Sequence, residues 1–284
     1  MPDQNPDNLK IKHEQKLAWD DSAEGWKTWW PTFERAAQRV NDRLVELAGA
    51  RAGSRVLDIA TGSGEPALTA ARVVGPSGRV VAIDMSAGML EIARERVEAA
   101  GLRNVELVES DAESLKLDDH SFDSVICRWG LMFMPDLDSL LQRLHRALKA
   151  DGRIATAVWS TVDKVPICGM ARDAIRQITG ITPPPNAPDP LKLADTSILE
   201  RALVAAGFRD VSIERMTVTF EFASADAFAD FRSAIGGTRA ALAARTPEIR
   251  AQLRDAMMNS ARAYAEADNV VRLNNETICF SARA

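Results

Sequence analysis

From Arg55 onward, short apolar runs alternate with stretches whose apolar residues recur every three or four positions. "RVLDIA" predicts a buried strand, and Pro66 suits the first turn of a helix running to about Val74. After the turn "GPSG", "RVVAID" predicts a second strand ending in Asp84. Ser86 is placed to cap the next helix, whose Met89, Leu90, Ala93 and Val97 share one face, and Gly101 stops it. "NVELVES" and "FDSVICR" predict strands three and four. Leu137, Leu140, Leu141, Leu144 and Leu148 form a helical stripe, closed by "KADG" before a fifth strand, "RIATAVW". Such repetition predicts an α/β fold: a parallel sheet with helices on both faces.

Two regions depart from the repeat. Residues 1–50 precede the first strand and hold four of the six tryptophans, Trp19, Trp26, Trp29 and Trp30. Their polar opening, "MPDQNPDNLKIKHEQK", is expected to fray at its start. After strand five the pattern loosens into the proline-rich "TGITPPPNAPDP". A helix, "SILERALVAAGF", and a strand over 211–222 resume the core. Helices over 224–235 and 247–267 follow, the second capped by Thr246, and the chain closes on the strand-like "ETICFSARA". The expected organisation is a helical N-terminal cap segment (1–50), a core (51–160), a loop or lid (161–195), more core (196–222), a helical cap insertion (223–270) and a final strand (271–284).

Composition narrows the functional classes. A net charge of −5 argues against a nucleic-acid partner, which wants a basic face. Cys127, Cys168 and Cys279 lack metal or disulfide spacing. With no leader and no apolar run long enough to span a bilayer, a cytoplasmic protein is expected.

The chemistry gathers at "VLDIATGSGEP", residues 56–66. Glycines between a strand and a helix bare the main chain to a ligand. "GSGEPA" fits the dinucleotide pattern G-x-G-x-x-G/A, so a nicotinamide dehydrogenase is a real competitor. Three acids favour another ligand. Asp58 would repel a pyrophosphate but attract a cationic amine. Asp84, twenty residues after Gly64, suits ribose hydroxyls, a feature both ligands share. Asp111, just after strand three, suits an exocyclic amino group such as adenine N6.

Those segments resemble the class I S-adenosylmethionine-dependent methyltransferases, and more narrowly the UbiE-like small-molecule group. "VLDIATGSGEPAL" is similar to that family's first motif, Asp/Glu-x-Gly-x-Gly-x-Gly, with Ala60 in the first glycine position. "VVAIDMS", "ESDAESL" and "FDSVICRWGLMFMPD" resemble the next three motifs, and "LKADGRIATAVW" the turn before strand five. The family's "YDxxAxxY" opening has its counterpart in "WDDSAEGW", with Trp19 and Trp26 in place of tyrosines. The resemblance implies a Rossmann-like seven-stranded, mostly parallel sheet whose last strand is antiparallel and lies between strands five and six, plus a helical cap. It implies S-adenosylmethionine as cofactor, S-adenosylhomocysteine as product, and no metal. Cofactor residues are then expected to be Trp19, Trp26, Asp58, Ala60, Thr61, Gly62, Gly64, Asp84, Met85, Asp111, Ala112 and Arg128.

Methyl transfer from a sulfonium is an in-line displacement with a good leaving group, so positioning can carry most of it. Histidine and tyrosine are scarce, and a proximity mechanism is expected. His13 is the one weak candidate for a base; His120 and His145 read as solvent-facing. Trp30, Trp129, Phe133 and Met134 are expected to line an apolar or aromatic acceptor site. Trp29 and Trp30 read equally as a hydrophobic plug between cap and core, and Phe133 and Met134 as core. A thiol-dependent metalloid methylation is disfavoured by the scattered cysteines, and an RNA methyltransferase by the charge. A same-fold enzyme that uses the cofactor for cyclisation, elimination or demethylation stays open, as does a homodimer.

Overall fold

The computed structural model describes residues 5–181 and 187–284. Part of the proline-rich loop and the first four residues lie outside them. The chain opens with one long helix, α1 (Pro6–Leu47), whose Asn5 side chain accepts from the Asp7 N–H. The alternation then runs β1 (Arg55–Ile59), α2 (Ala67–Val74), β2 (Arg79–Asp84), α3 (Ala87–Ala99), β3 (Val105–Glu109), β4 (Phe122–Arg128), α4 (Leu137–Ala147) and β5 (Leu148–Trp159). Next come α5 (Pro166–Thr179), α6 (Thr196–Ala205), β6 (Arg209–Phe222), α7 (Ala225–Ala234), α8 (Gly236–Ala243), α9 (Pro247–Arg262) and β7 (Val271–Arg283).

Short polar side chains start several of these helices by accepting an orphan N–H: Ser86 from Met89, Asp136 from Ser139, Asp195 from Ser197, Ser224 from Ala227 and Thr246 from Ile249. The sheet order is β3-β2-β1-β4-β5-β7-β6. β1 to β5 run parallel, and β7 is antiparallel to both β5 and β6. This is the Rossmann-like arrangement expected from the sequence, with the last strand inserted where expected. β1, β2 and β4 are largely apolar and buried along most of their length because both their faces are covered.

Three segments differ from expectation, one of them α8, a helix where the sequence pattern predicts only a link between two helices. The span 161–195 contains α5, not only loop: Ile167, Met170, Ala171 and Ala174 repeat with helical spacing and are buried. α1 also plays two parts. Its second half buries Phe33, Ala37, Val40 and Leu44 in the core, while its first half passes over the carboxyl ends of the parallel strands. Gly25 lets α1 cross α7 closely, since a Cβ there would meet the Ala234 carbonyl oxygen at 2.2 Å. Among the described residues no helix is long and apolar enough to cross a membrane.

Candidate active site

A cavity of about 510 Å³ opens at the carboxyl ends of β1, β2, β3, β4 and β5, where open α/β sheets bind ligands. α1 closes one side. Lys12, Trp19, Trp26 and Phe33 recur every seven residues along it and all line the cavity. α5, α7 and α8 close the other side through Cys168, Phe231, Arg232 and Ile235, among others.

At the turn after β1, Ala60 has φ +55° and Gly62 φ +55°, so the backbone is turned out towards the cavity. Asp84 fixes that turn: the Gly62 N–H donates to its Oδ2 at 2.8 Å and the Ser86 N–H to its Oδ1 at 2.9 Å. Met85 follows it into the lining. Asp111 and Ala112 come in after β3, and Lys12 bridges Asp111 and Glu113 at 3.0 and 2.5 Å. Lys16 donates to the Met85 carbonyl, and Asp20 accepts from the Ser86 hydroxyl, so α1 is strapped across the carboxyl end of β2.

The far end is aromatic. Trp129, at φ +54°, stacks on Trp159 with ring centroids 4.1 Å apart and planes 10° off parallel. Its Nε1 donates to the Thr277 hydroxyl at 2.9 Å, which orients the ring. Phe33 meets both Trp129 and Trp26 edge-on, at 5.4 and 5.1 Å. Phe133 packs edge-on to Trp19 at 5.7 Å, with Met134 beside it in the wall. Arg128 lines the cavity too, but its charge is committed: Glu34 takes both guanidinium branches and Asn41 accepts from one. Burial alone would raise the Glu34 carboxyl; the adjacent Arg128 guanidinium holds it below its ordinary value instead.

Four sequence candidates lie elsewhere. Asp58 is fully buried behind the turn, where the Ala67 N–H donates to its Oδ2 at 3.0 Å. Burial pushes its carboxyl up to about 8, and it lies outside the cavity lining. Gly64, at φ +101°, serves packing: a Cβ there would meet Leu68 at 2.6 Å and Ala93 at 3.3 Å. Trp30 lies outside the cavity lining, under the Arg96 guanidinium at 4.2 Å. His13 is exposed on α1 and absent from the lining, where its neighbours Lys12 and Gln15 turn inward. His120 is exposed as expected, whereas His145 is half-buried edge-on to Phe208. Trp29 packs on Phe222 and Phe231 as the plug between cap and sheet.

The donor set distinguishes the two candidate ligands. A pyrophosphate needs the free N–H groups at the start of α2. Those are already taken: Asp58 accepts from Ala67, and Glu65 accepts from the Thr69 N–H at 3.1 Å. A nucleoside joined to an amino acid through a sulfonium, with no phosphate, needs instead a ribose-facing carboxylate and a second acceptor for an amino group, which Asp84 and Asp111 offer at the cavity wall. The residues fit S-adenosylmethionine. The lining holds no histidine or tyrosine, and its cysteine, Cys168, is pushed up to about 11 by burial. Among the described residues no group of three or more His, Cys, Asp or Glu is placed to hold a metal ion.

Comparison with known proteins agrees with the site. Residues 36–174 match the ubiE/COQ5 methyltransferase family. Over 117 residues the chain is 41% identical to the ubiquinone/menaquinone biosynthesis C-methyltransferase UbiE of Pseudomonas putida, covering 41% of this chain and 46% of that protein. The chain thus spans about half the length of the curated relatives it matches. Among solved structures, YcgJ of Bacillus subtilis has a TM-score of 0.57 at 18% identity, covering 87% of this chain and 98% of that one. The phosphoethanolamine N-methyltransferase 2 of Haemonchus contortus, solved with phosphomonomethylethanolamine and S-adenosylhomocysteine, has a TM-score of 0.56 at 22% identity, covering 90% and 57%. These two likenesses speak for the fold.

Proposed function

This chain is similar to the UbiE-like group of class I S-adenosylmethionine-dependent methyltransferases, and on that premise we propose that it transfers a methyl group to a small acceptor with an apolar or aromatic body. Bound S-adenosylmethionine supplies an electrophilic methyl carbon. Asp84 would hold the ribose, Asp111, Ala112 and Met85 the adenine, and Thr61 and Gly62 the amino-acid end, with Trp19 and Trp26 closing over them.

One observation carries the reading: the cavity that starts at Asp84 and Asp111 continues into a chamber walled by Trp129, Trp159, Phe33 and Phe133. An apolar ring placed there meets flat faces and edges and sheds its water. The chain's own work is then orientation and exclusion of solvent, which are worth up to roughly 7–11 kcal/mol in favourable intramolecular cases. The lining holds no histidine or tyrosine, which suits an acceptor that arrives already nucleophilic, as an electron-rich ring carbon, a phenolate or an unprotonated amine, with the lining carboxylates serving the cofactor. The relatives named C-methyltransferases favour carbon among these.

The test is calorimetry of the purified protein with S-adenosylhomocysteine, followed by a screen of aromatic acceptors for its formation from S-adenosylmethionine. Tight binding and turnover with an electron-rich aromatic are expected. No heat with S-adenosylhomocysteine, together with tight binding of a pyridine dinucleotide, would overturn the reading.

A further inference from the structure

Three cations line the cavity, and two of them are paired. Lys12 sits between Asp111 and Glu113, and Arg128 is held by Glu34. The third, Arg232 in the last turn of α7, has no carboxylate within ion-pair distance among the described residues. Its Nη2 donates to the Thr238 hydroxyl at 2.8 Å, and its Nε is buried with no partner. A guanidinium has five N–H donors in a fixed fork, and one hydroxyl satisfies few of them. Leaving a half-buried cation with a buried N–H unpartnered is unfavourable, so a bound anion there would regain part of the loss.

Its surroundings point the same way. Cys168, facing it from α5, is a neutral thiol and a weak acceptor. Asp189, the nearest acid to that thiol, is turned to Arg172 at 3.8 Å. Phe231, Ile235 and Pro190, which line the same cavity, are apolar. One unpaired fork in an apolar chamber matches one planar monoanion, since carboxylates accept two parallel N–H donors from arginine.

We infer that Arg232 is the specificity-determining residue of the acceptor end of the cavity, and that the acceptor is an aromatic carboxylate whose ring lies in the tryptophan-walled chamber and whose carboxylate sits on Arg232. The inference rests on the proposed methyltransferase reading, in which Asp84 and Asp111 hold the cofactor and the acceptor takes the rest of the cavity.

The experiment compares 2-naphthoate with its neutral counterpart 2-naphthalenemethanol by calorimetry, with S-adenosylhomocysteine saturating and again without it. Wild-type protein is expected to bind the carboxylate about ten- to a hundredfold more tightly than the alcohol, the range for a hydrogen bond to a charged group. Arg232→Leu should erase that preference while binding the alcohol about as before, and Arg232→Lys should keep part of it. S-adenosylhomocysteine titrated into each variant reports an intact fold and cofactor end. If the leucine variant does not fold, Arg232→Gln carries the same comparison. A wild-type protein that prefers neither compound, or an Arg232→Leu variant that still prefers naphthoate, overturns the inference. Failure of the wild type to bind S-adenosylhomocysteine strikes the methyltransferase reading instead, and the ligand comparison without it still decides the role of Arg232.

Discussion

The guanidinium of Arg128, at the end of β4, grips both carboxylate oxygens of Glu34 on α1 at 2.8 and 2.5 Å, and both side chains are 7% exposed. This pair ties the long N-terminal helix to the strand that carries the aromatic wall. Removing one partner leaves the other charged in a place with little water, an effect of about 3–5 kcal/mol. Glu34→Ala should therefore lower Tm by roughly 10 °C, whereas the double variant Glu34→Leu/Arg128→Met should recover most of the loss. Thermal unfolding of the two variants beside wild type decides; equal losses in both would mean that the hydrogen-bonded pair itself stabilises the fold, since the double variant keeps the packing volume.

Asp84 holds the glycine turn and faces the cavity at once. Asp84→Asn keeps an acceptor but loses the charge, and it replaces one acceptor oxygen with a donor facing the Gly62 or Ser86 N–H. Affinity for S-adenosylhomocysteine is expected to fall about ten- to a hundredfold, the range for a hydrogen bond to a charged group. Calorimetry gives the affinity, and a Tm within a few degrees of wild type shows that the fold survives. Unchanged affinity would remove Asp84 from the nucleoside site.

The sheet was legible because its signals are local. Apolar stretches marked β1, β2 and β4, Ser86 and Thr246 marked helix starts, and the Gly62 turn marked a wall of the cavity. The strap over the site was not legible, because Lys12 and Asp111 meet across 99 residues of sequence. One signal was nonetheless there: the seven-residue recurrence of Lys12, Trp19, Trp26 and Phe33, which puts them on one side of a helix, and which leaves Trp30 turned to Arg96. Asp58 misled for a physical reason. A carboxyl near a strand end reads as ligand-facing, but helix α2 starts close enough for its first N–H groups to claim it. Arg232 carried no sequence signal at all, since an unpaired arginine is recognised only by what surrounds it.

Ala60 takes φ +55°, a left-handed conformation that disfavours a Cβ by about 1–2 kcal/mol. Ala60→Gly relieves that strain and restores the glycine of the family motif, offset in part by the freer unfolded chain. A gain of up to about 1 kcal/mol is expected, read as a rise in the urea midpoint at unchanged slope. A loss of stability would show that the Ala60 methyl, which lies close to the space beside Gly130, does packing work larger than the strain.

At Gly25 the α1–α7 crossing leaves no room for a methyl group, with the Ala234 carbonyl oxygen 2.2 Å from where a Cβ would stand. Gly25→Ala should push the two helices apart, at a loss of about 1–3 kcal/mol. Because the displaced end of α7 carries Phe231 and Arg232 in the cavity wall, acceptor affinity should weaken more than affinity for S-adenosylhomocysteine. The two affinities measured on one preparation check this; equal weakening would place the damage in the whole fold rather than at the cap.

Asp58 makes the stability of the protein depend on pH in a particular direction. In the unfolded chain its carboxyl ionises near the ordinary value of 3.8, while burial in the fold moves that to about 8. Between those values the native state keeps a proton that the unfolded chain has released. The native state therefore binds more protons, and the contribution of this residue to stability falls as pH rises through the window, by at most about 1.4 kcal/mol per pH unit. Above about 8 the contribution stays constant, because both states are then ionised. Asp58→Asn retains a carbonyl to accept from the Ala67 N–H and has nothing to ionise. Its stability relative to wild type should thus climb from pH 5 to pH 8 in urea unfolding curves, while other buried carboxyls such as Glu65 and Asp84 act equally in both proteins. A difference that stays flat across that window would mean that Asp58 ionises as it does in water, and its place behind the turn would then require a buried countercharge.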